Sequence, residues 1–256
     1  MPNNHFYIRY AGNKRNEFDE FYKNANLENI TTFIEPFVGT GAISYFLWEK
    51  HPTLKFILND ITPYFKEMFD IHKDEQKIDE FNEKVTELIK SFKGNKERYV
   101  EVVNQPNIYG WFIGHKIYNI RPKLYPLNRE NYNENINLRD YPVYNFFKNA
   151  DIEFYNDDAI NIYEKYKNDE TTLLLLDPPY LDSCNEFYEK SDKHLNIYEY
   201  LYNNNINKEK AKIYLMLEDM WINRLLFREN KIYEKYKKVY QSKKKLTNHI
   251  LITQLI

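Results

Sequence analysis

The sequence predicts an α/β fold: a mostly parallel sheet with a C-terminal antiparallel strand, interrupted by a mainly helical insert. Three observations carry this. A β-branched and aromatic run, Thr31 to Ile34, is followed by Gly39 and Gly41, a helix-like stretch Ala42 to Lys50, and a second apolar run, Leu54 to Leu58. Strand, glycine turn, helix and strand in that order make a βαβ unit, whose strands lie parallel. Further on, Thr171 to Leu176 is a continuous apolar run of the kind found in central strands buried on both faces. Between these parts, from about residue 64 to 150, the pattern changes character.

Each element follows from its own residues. The first strand ends at Glu35-Pro36 and the second at Asn59-Asp60. Residues 64 to 92 carry Phe65, Phe69, Ile78, Phe81, Val85, Leu88 and Ile89 at roughly helical spacing. Asn104 to Tyr144 is rich in Pro, Asn and aromatics and reads as irregular. Ile152 to Tyr155 is a short strand closed by Asn156-Asp157-Asp158. Residues 185 to 210 read as loop and helix. Ile213 to Leu217 is a further strand, followed by a helical segment, Trp221 to Phe227. Tyr233 to Tyr240 and His249 to Leu255 close the sheet as a hairpin-like pair. The expected organisation is a sheet domain formed by residues 1–63 and 150–256, with residues 64–149 inserted into it.

Composition excludes several classes. The 256 residues include only six glycines, so glycine-rich repetitive architectures are ruled out. The formal net charge of −2 is not that of a globally basic nucleic-acid coat. A single cysteine, Cys184, permits neither an intrachain disulfide framework nor a cysteine-rich zinc site, and the six histidines show no metal-binding spacing. No metal is expected. The apolar runs are too short to span a bilayer, and the N-terminus lacks the apolar core of a signal peptide. The expectation is a soluble protein of a reducing compartment, without a membrane partner.

The strongest chemical signal is Leu173-Leu174-Leu175-Leu176-Asp177-Pro178-Pro179-Tyr180. A buried strand delivers a carboxylate, two prolines and an aromatic ring at its carboxyl end, where open α/β sheets bind ligands. An exocyclic amine on a base is a poor nucleophile because its lone pair is delocalised into the ring. The Asp177 carboxylate can accept a hydrogen bond from one N–H and the Pro178 carbonyl from the other, which favours a tetrahedral nitrogen with its lone pair free. Proline stiffens the turn, and Tyr180 offers a face on which a flipped-out base can stack. Positioning and electrostatics suffice for such chemistry. The competing reading is a strand ended by a tight Pro-Pro turn, with Asp177 capping nearby N–H groups.

A second signal follows the first strand, in Glu35-Pro36-Phe37-Val38-Gly39-Thr40-Gly41. Glycines there let a ligand approach the backbone. Ser44 stands where the third glycine of a dinucleotide motif would be, and no Gly-Lys-Ser/Thr follows, so neither a dinucleotide fingerprint nor a Walker loop is present. A Rossmann-like site without a phosphate cradle suits an adenosyl ligand. Asp60, at the end of the next strand, is placed for ribose hydroxyls.

These residues resemble the Dam-type, alpha-group N6-adenine DNA methyltransferases, which use S-adenosylmethionine. That family orders its motifs as W-A-G-G-K, E-P-F-x-G-x-G, N-D, a target-recognition insert and D-P-P-Y. Here they stand as Tyr10-Ala11-Gly12-Asn13-Lys14, Glu35 to Gly41, Asn59-Asp60 and Asp177-Pro178-Pro179-Tyr180. The resemblance implies a Rossmann-like methyltransferase sheet and methyl transfer to the N6 amine of adenine in DNA, with S-adenosylhomocysteine as product. It assigns catalysis to Asp177, Pro178, Pro179 and Tyr180. It assigns the methionine part of the cofactor to Tyr10, Ala11, Gly12 and Lys14, and the cofactor loop to Glu35, Pro36, Phe37, Gly39 and Gly41. Asp60 takes the ribose and Asp158 the adenine. Ile213 to Phe227 is similar to the strand and helix that wall the target pocket, and Lys245 to Ile252 to the final strand. The family's recognition-hairpin signature has no clear counterpart in Asn107 to Pro122, so the target sequence is not carried over. Two other readings stand beside this one: the same chemistry on RNA, and a catalytically silent cofactor-binding subunit that recognises DNA.

Local charge reconciles net acidity with a polyanionic partner. Residues 102 to 129 contain no Asp or Glu but include Lys116, Arg121, Lys123 and Arg129, interleaved with Tyr109, Trp111, Phe112, Tyr118 and Tyr125. Residues 220 to 256 carry nine Lys or Arg against two Glu, among them Lys243, Lys244 and Lys245. Such segregation predicts one basic face for DNA. For the aromatic stretch the alternative is a small helical subdomain whose rings are core. The remaining expectations are a cytoplasmic enzyme, in a host or a viral replication compartment, working as monomer or homodimer, with a cognate restriction endonuclease as partner.

Overall fold

A computed structural model of the chain describes residues 8, 14, 17–117, 142–180, 193–239 and 246–255. Tyr10, Ala11, Gly12, Arg121, Lys123, Arg129, Cys184, Lys243 and Lys244 lie outside the described residues. The chain divides into two compact units. One comprises Lys14–Ile61 and Ala150–Ile256, the other Met1–Asn13 and Thr62–Asn149.

The first unit is built on a seven-stranded sheet in the order β3-β2-β1-β4-β5-β7-β6. Its strands are β1 (Thr32–Glu35), β2 (Lys55–Asn59), β3 (Asp151–Tyr155), β4 (Thr172–Leu176), β5 (Lys212–Glu218), β6 (Lys231–Val239) and β7 (Leu246–Thr253). The first five are mutually parallel, and β7 runs antiparallel to both β5 and β6. This is the mixed sheet expected, with one strand reversed. Its central strands are apolar on both faces because both faces are covered. On one face, Phe21 of α1 (Phe18–Asn24) packs against Phe33 of β1 and edge-on against Tyr214 of β5. On the other, Ile34, Ile57, Leu174, Leu176, Ile213 and Leu215 form a core with Ile162 and Tyr163 of α8 (Ala159–Tyr166) and with Ile197 and Leu201 of α9 (Lys193–Asn203). The alternation of Phe33 and Ile34 between the two cores is the two-residue period of a strand.

Strand order reverses between β1 and β4, Thr32 to Ile34 pairing with Lys55 to Ile57 on one side and with Thr172 to Leu174 on the other. In open α/β sheets ligands enter at the carboxyl ends beside such a reversal. The loops that follow β1, β2, β3 and β4 all emerge there.

The second unit holds five described helices: α3 (Pro63–His72), α4 (Glu75–Phe92), α5 (Lys96–Val103), α6 (Ile108–Ile117) and α7 (Pro142–Asn149). Pro63 opens α3, where its missing N–H costs nothing. The helical run read over residues 64–92 is two helices, because Asp74 caps a fresh start by accepting from Gln76 N–H at 2.9 Å and Lys77 N–H at 3.4 Å. The stretch Asn104 to Tyr144, read as irregular, contains all of α6. A Cβ on Gly110 would lie 2.5 Å from the Gln105 carbonyl, so this glycine lets the helix close against the turn before it.

Tyr109, Trp111 and Phe112 are not part of the nucleic-acid surface expected of that stretch; Tyr118 and Tyr125 lie outside the described residues. Trp111 and Phe112 are buried. Trp111 meets Phe65 edge-on at 5.1 Å, and Phe112 meets Phe81 in the same way at 5.1 Å. Tyr109 stacks on Phe81. These rings are helical core, the alternative reading. Lys116 is half-buried with its ammonium 5.4 Å over the Phe112 ring, a geometry of cation–π attraction.

Candidate active site

The residues Glu35 to Gly41, Asp60 and Asp158, expected on the cofactor side, occupy the ends of β1, β2 and β3. After Glu35 and Pro36 the chain turns through Gly39 and Gly41, whose φ angles of 51° and 73° lie in the left-handed region. Side chains with a Cβ are disfavoured there, so both glycines are required by the turn. Gly41 stands at the N-cap of α2 (Ala42–Lys50), so the loop runs straight into a buried helix N-terminus, whose first N–H groups have no partner within the helix. Phe37 packs on the sheet core.

This loop is pinned from the neighbouring strand. Asp60 accepts from Gly39 N–H at 3.0 Å. Asn59, fully buried, donates to the carbonyls of Pro36 and Asp157, each at 3.0 Å, and accepts from Asp157 N–H at 2.9 Å. One amide side chain therefore ties together the ends of three strands. Asp158 accepts from Ile160 N–H at 2.9 Å and so caps α8 with one carboxylate oxygen.

Glu35 is buried, with 2% of its surface exposed, and accepts a hydrogen bond from the Ser44 hydroxyl. Burial pushes its carboxyl up to about 8, and the negative charge of Asp177 adds to that; the Ser44 hydrogen bonds and the Lys14 ammonium oppose it. Ser44, which displaces the third glycine of a dinucleotide motif, is thus the partner of the buried acid.

At the end of β4 the side chains form one connected cluster. Lys14 Nζ pairs with Asp177 Oδ2 at 2.6 Å, and the two side chains are 10% and 9% exposed. The same ammonium lies 4.8 Å from the centre of the Tyr180 ring. The Tyr180 hydroxyl is 3.2 Å from Asp177 Oδ1 and 3.1 Å from His249 Nδ1. The imidazole meets the Tyr180 ring edge-on at 5.0 Å. Pro178 is buried, and the Pro179 carbonyl accepts from the Tyr198 hydroxyl of α9 at 3.3 Å, holding the turn to the helix beyond it.

Lys14, Glu35, Asp177 and Tyr180 are thus neighbours, drawn from three separate motifs. Gly39, Asp60 and Asn59 are linked to one another beside them. Three residues given no role in the site by the sequence belong to this construction: Ser44, Asn59 and His249. Asn59 stands in the Asn59-Asp60 motif, and its position before a strand-terminal carboxylate was the available signal. His249 had none, since its link to Tyr180 depends on the antiparallel placement of β7.

Among the described residues no group of three or more His, Cys, Asp or Glu side chains is arranged to hold a metal ion, and no helix is long and apolar enough to cross a membrane. No curated protein sequence matches the chain. The family model for the D12 class N6 adenine-specific DNA methyltransferases matches residues 10–125, from the segment containing Lys14 through the glycine loop and into the helical unit.

Proposed function

We propose that this chain, indicated by its family match to be an adenine-specific DNA methyltransferase, transfers a methyl group from S-adenosylmethionine to the N6 amine of an adenine within a defined DNA sequence. The observation that carries this reading is the Asp177–Tyr180 pair at the carboxyl end of β4, beside the strand-order reversal and the glycine loop.

The residues present suit the donor. The loop has two left-handed glycines and no phosphate-binding lysine, and it delivers a buried acid, Glu35, which the ammonium of the donor would draw into its charged form. Glu35, Pro36, Phe37, Gly39 and Gly41 would hold the amino-acid end of the donor, together with Tyr10, Ala11 and Gly12; Asp60 would hold the ribose and Asp158 the adenine. When bound, S-adenosylmethionine supplies an electrophilic methyl group on a sulfonium.

The chain's own residues do the rest. Asp177 Oδ2 accepts a proton donor, a role now filled by the Lys14 ammonium. An incoming N6 amine takes over that acceptor, and Lys14 withdraws from the face of Tyr180 to admit the base. The Pro178 carbonyl is the second acceptor, and the two together would free the nitrogen lone pair for in-line attack; the new N–C bond would form as the methyl–sulfur bond breaks to leave a thioether, and the extra proton on the nitrogen would leave by way of Asp177 to water. Tyr180 stacks on the flipped base. The helical unit is the target-recognition insert, with Lys116, Arg121, Lys123 and Arg129 as phosphate contacts, joined by Lys243 and Lys244 of the sheet unit. Restriction–modification is the typical setting of the family, which makes a nuclease of the same sequence specificity the expected partner.

The test is methyl transfer from labelled S-adenosylmethionine to adenine-unmethylated DNA, comparing the wild type with Asp177→Ala and with RNA as competitor. Loss of transfer in the variant and no inhibition by RNA are expected. Full activity in Asp177→Ala overturns the mechanism, and preferential labelling of RNA overturns the substrate.

A further inference from the structure

We infer that His249 is a positioning residue for methyl transfer, acting through the Tyr180 hydroxyl. The inference rests on the reading of Asp177 and Tyr180 given above. His249 lies fully buried on β7, directly across from Glu218 of β5 in the antiparallel register. Its Nδ1 is 3.1 Å from the Tyr180 hydroxyl, which is also 3.2 Å from Asp177 Oδ1.

The direction of these bonds follows from donor arithmetic. An ionised Asp177, paired with Lys14, can only accept. The single phenolic proton therefore goes to Asp177 Oδ1, and the phenolic oxygen accepts from His249. This requires a proton on Nδ1 and assigns the tautomer of the ring.

The consequence is geometric. A phenol held at one point can swing about its ring axis; held between a carboxylate and an imidazole, with the two rings at 83° to each other, it has a single orientation. Tyr180 in turn fixes Asp177 Oδ1, leaving Oδ2 directed at the group that enters. When an amine replaces the Lys14 ammonium on Oδ2, the Oδ1–Tyr180–His249 chain keeps the carboxylate from rotating with it. His249 would act only through Tyr180. Buried positions of this kind supply the rigidity on which reacting groups depend.

Two isosteres separate this role from simple filling of a polar site. In His249→Asn the amide nitrogen takes the position of Nδ1, whereas in His249→Gln it takes that of Nε2. Each is assayed for methyl transfer to adenine-unmethylated plasmid DNA of mixed sequence, with cofactor affinity measured by calorimetry. The expected result is a kcat within about threefold of wild type for His249→Asn. His249→Gln should show a loss of about tenfold, the order of one neutral hydrogen bond, with cofactor affinity unchanged. Tyr180→Phe should lose a similar factor, and adding His249→Gln to it should cost nothing more. Equal kcat in the Asn and Gln variants, or additive losses in the double variant, would overturn the inference. Should the Gln variant not fold, Tyr180→Phe decides, since wild-type kcat in that variant removes the hydroxyl's role and His249's with it. Asp177→Ala run in parallel keeps the two readings apart. Its inactivity beside a fully active His249→Gln defeats only the positioning role, whereas its full activity defeats the site itself.

Discussion

The two units use the same aromatic-rich vocabulary to opposite ends. In the helical unit, Phe65, Phe81, Trp111 and Phe112 meet edge to face. Even the buried His72 is stacked on an aromatic ring, Tyr144, at 3.7 Å, with its Nδ1 close to the Met68 carbonyl. In the sheet unit, Tyr180 is held by a carboxylate, an ammonium and an imidazole from three distant segments. A ring surrounded by rings stabilises a fold, while a ring whose hydroxyl is wired to charged groups is oriented for a ligand. Aromatic content alone does not tell the two apart, but buried polar partners do.

The comparison predicts that damage to the two regions will be felt differently. The largest effect belongs to Asp177→Ala. It should lower turnover by about a thousandfold or more, the scale of losing a group that acts on the reacting centre, while leaving cofactor affinity within about threefold by calorimetry. Trp111→Ala should do the reverse in kind, costing ~3–4 kcal/mol of stability in denaturant titration. Cofactor affinity in folded protein should stay within about threefold; collapse of that affinity would end the contrast between the units.

Asn59→Ala sits between these cases. It strips two carbonyls and one N–H of their partner at the junction of three strands, and should cost ~2–3 kcal/mol and weaken cofactor binding together. The smallest expected effects are those of pH, and they run in opposite directions. Glu35 keeps its proton in the folded state up to about 8, whereas an unfolded glutamate releases it near 4.5. The folded state therefore holds more protons between those values, and this contribution to stability falls as pH rises from 4.5 to 8. His72 is driven down to about 4 by burial. The unfolded state takes up the proton first, so its contribution falls as pH drops from 6.5 to 4. Glu35→Gln should abolish the first slope and raise stability at pH 7.5 by ~1–2 kcal/mol, measured by thermal unfolding, while lowering cofactor affinity. An unchanged slope would remove Glu35 as its source.

Much of the sheet was legible because its chemistry is local. Leu173 to Leu176 can only be a strand buried on both sides, and Glu35, Asp60 and Asp177 stand at strand ends where the motifs put them. The helix Ile108–Ile117 was not legible, since two glycines and several aromatics lower its intrinsic helical preference. Burial of Trp111 and Phe112 overrides that preference. His249 was invisible for a different reason. Its partner, Tyr180, is 69 residues away in the loop after β4, and the expected hairpin-like pair does not say which loop the start of its second strand meets. Ser44 was visible only as a missing glycine; its bond to Glu35 needed the loop to be folded.

The reversed direction of β7 also sets a schedule. A strand antiparallel to its neighbours brings its first residues to the end where the others finish, so Asn248 and His249 arrive beside Asp219 and Tyr180. On the ribosome, Asp177 through Tyr180 emerge well before the strand that secures them. A growing chain halted short of residue 249 would carry the whole Asp-Pro-Pro-Tyr segment, yet leave the edge of β5 without its partner and the Tyr180 hydroxyl without its histidine. On this reading the Tyr180 hydroxyl gains its second partner only when β7 docks, after the reacting residues themselves are made.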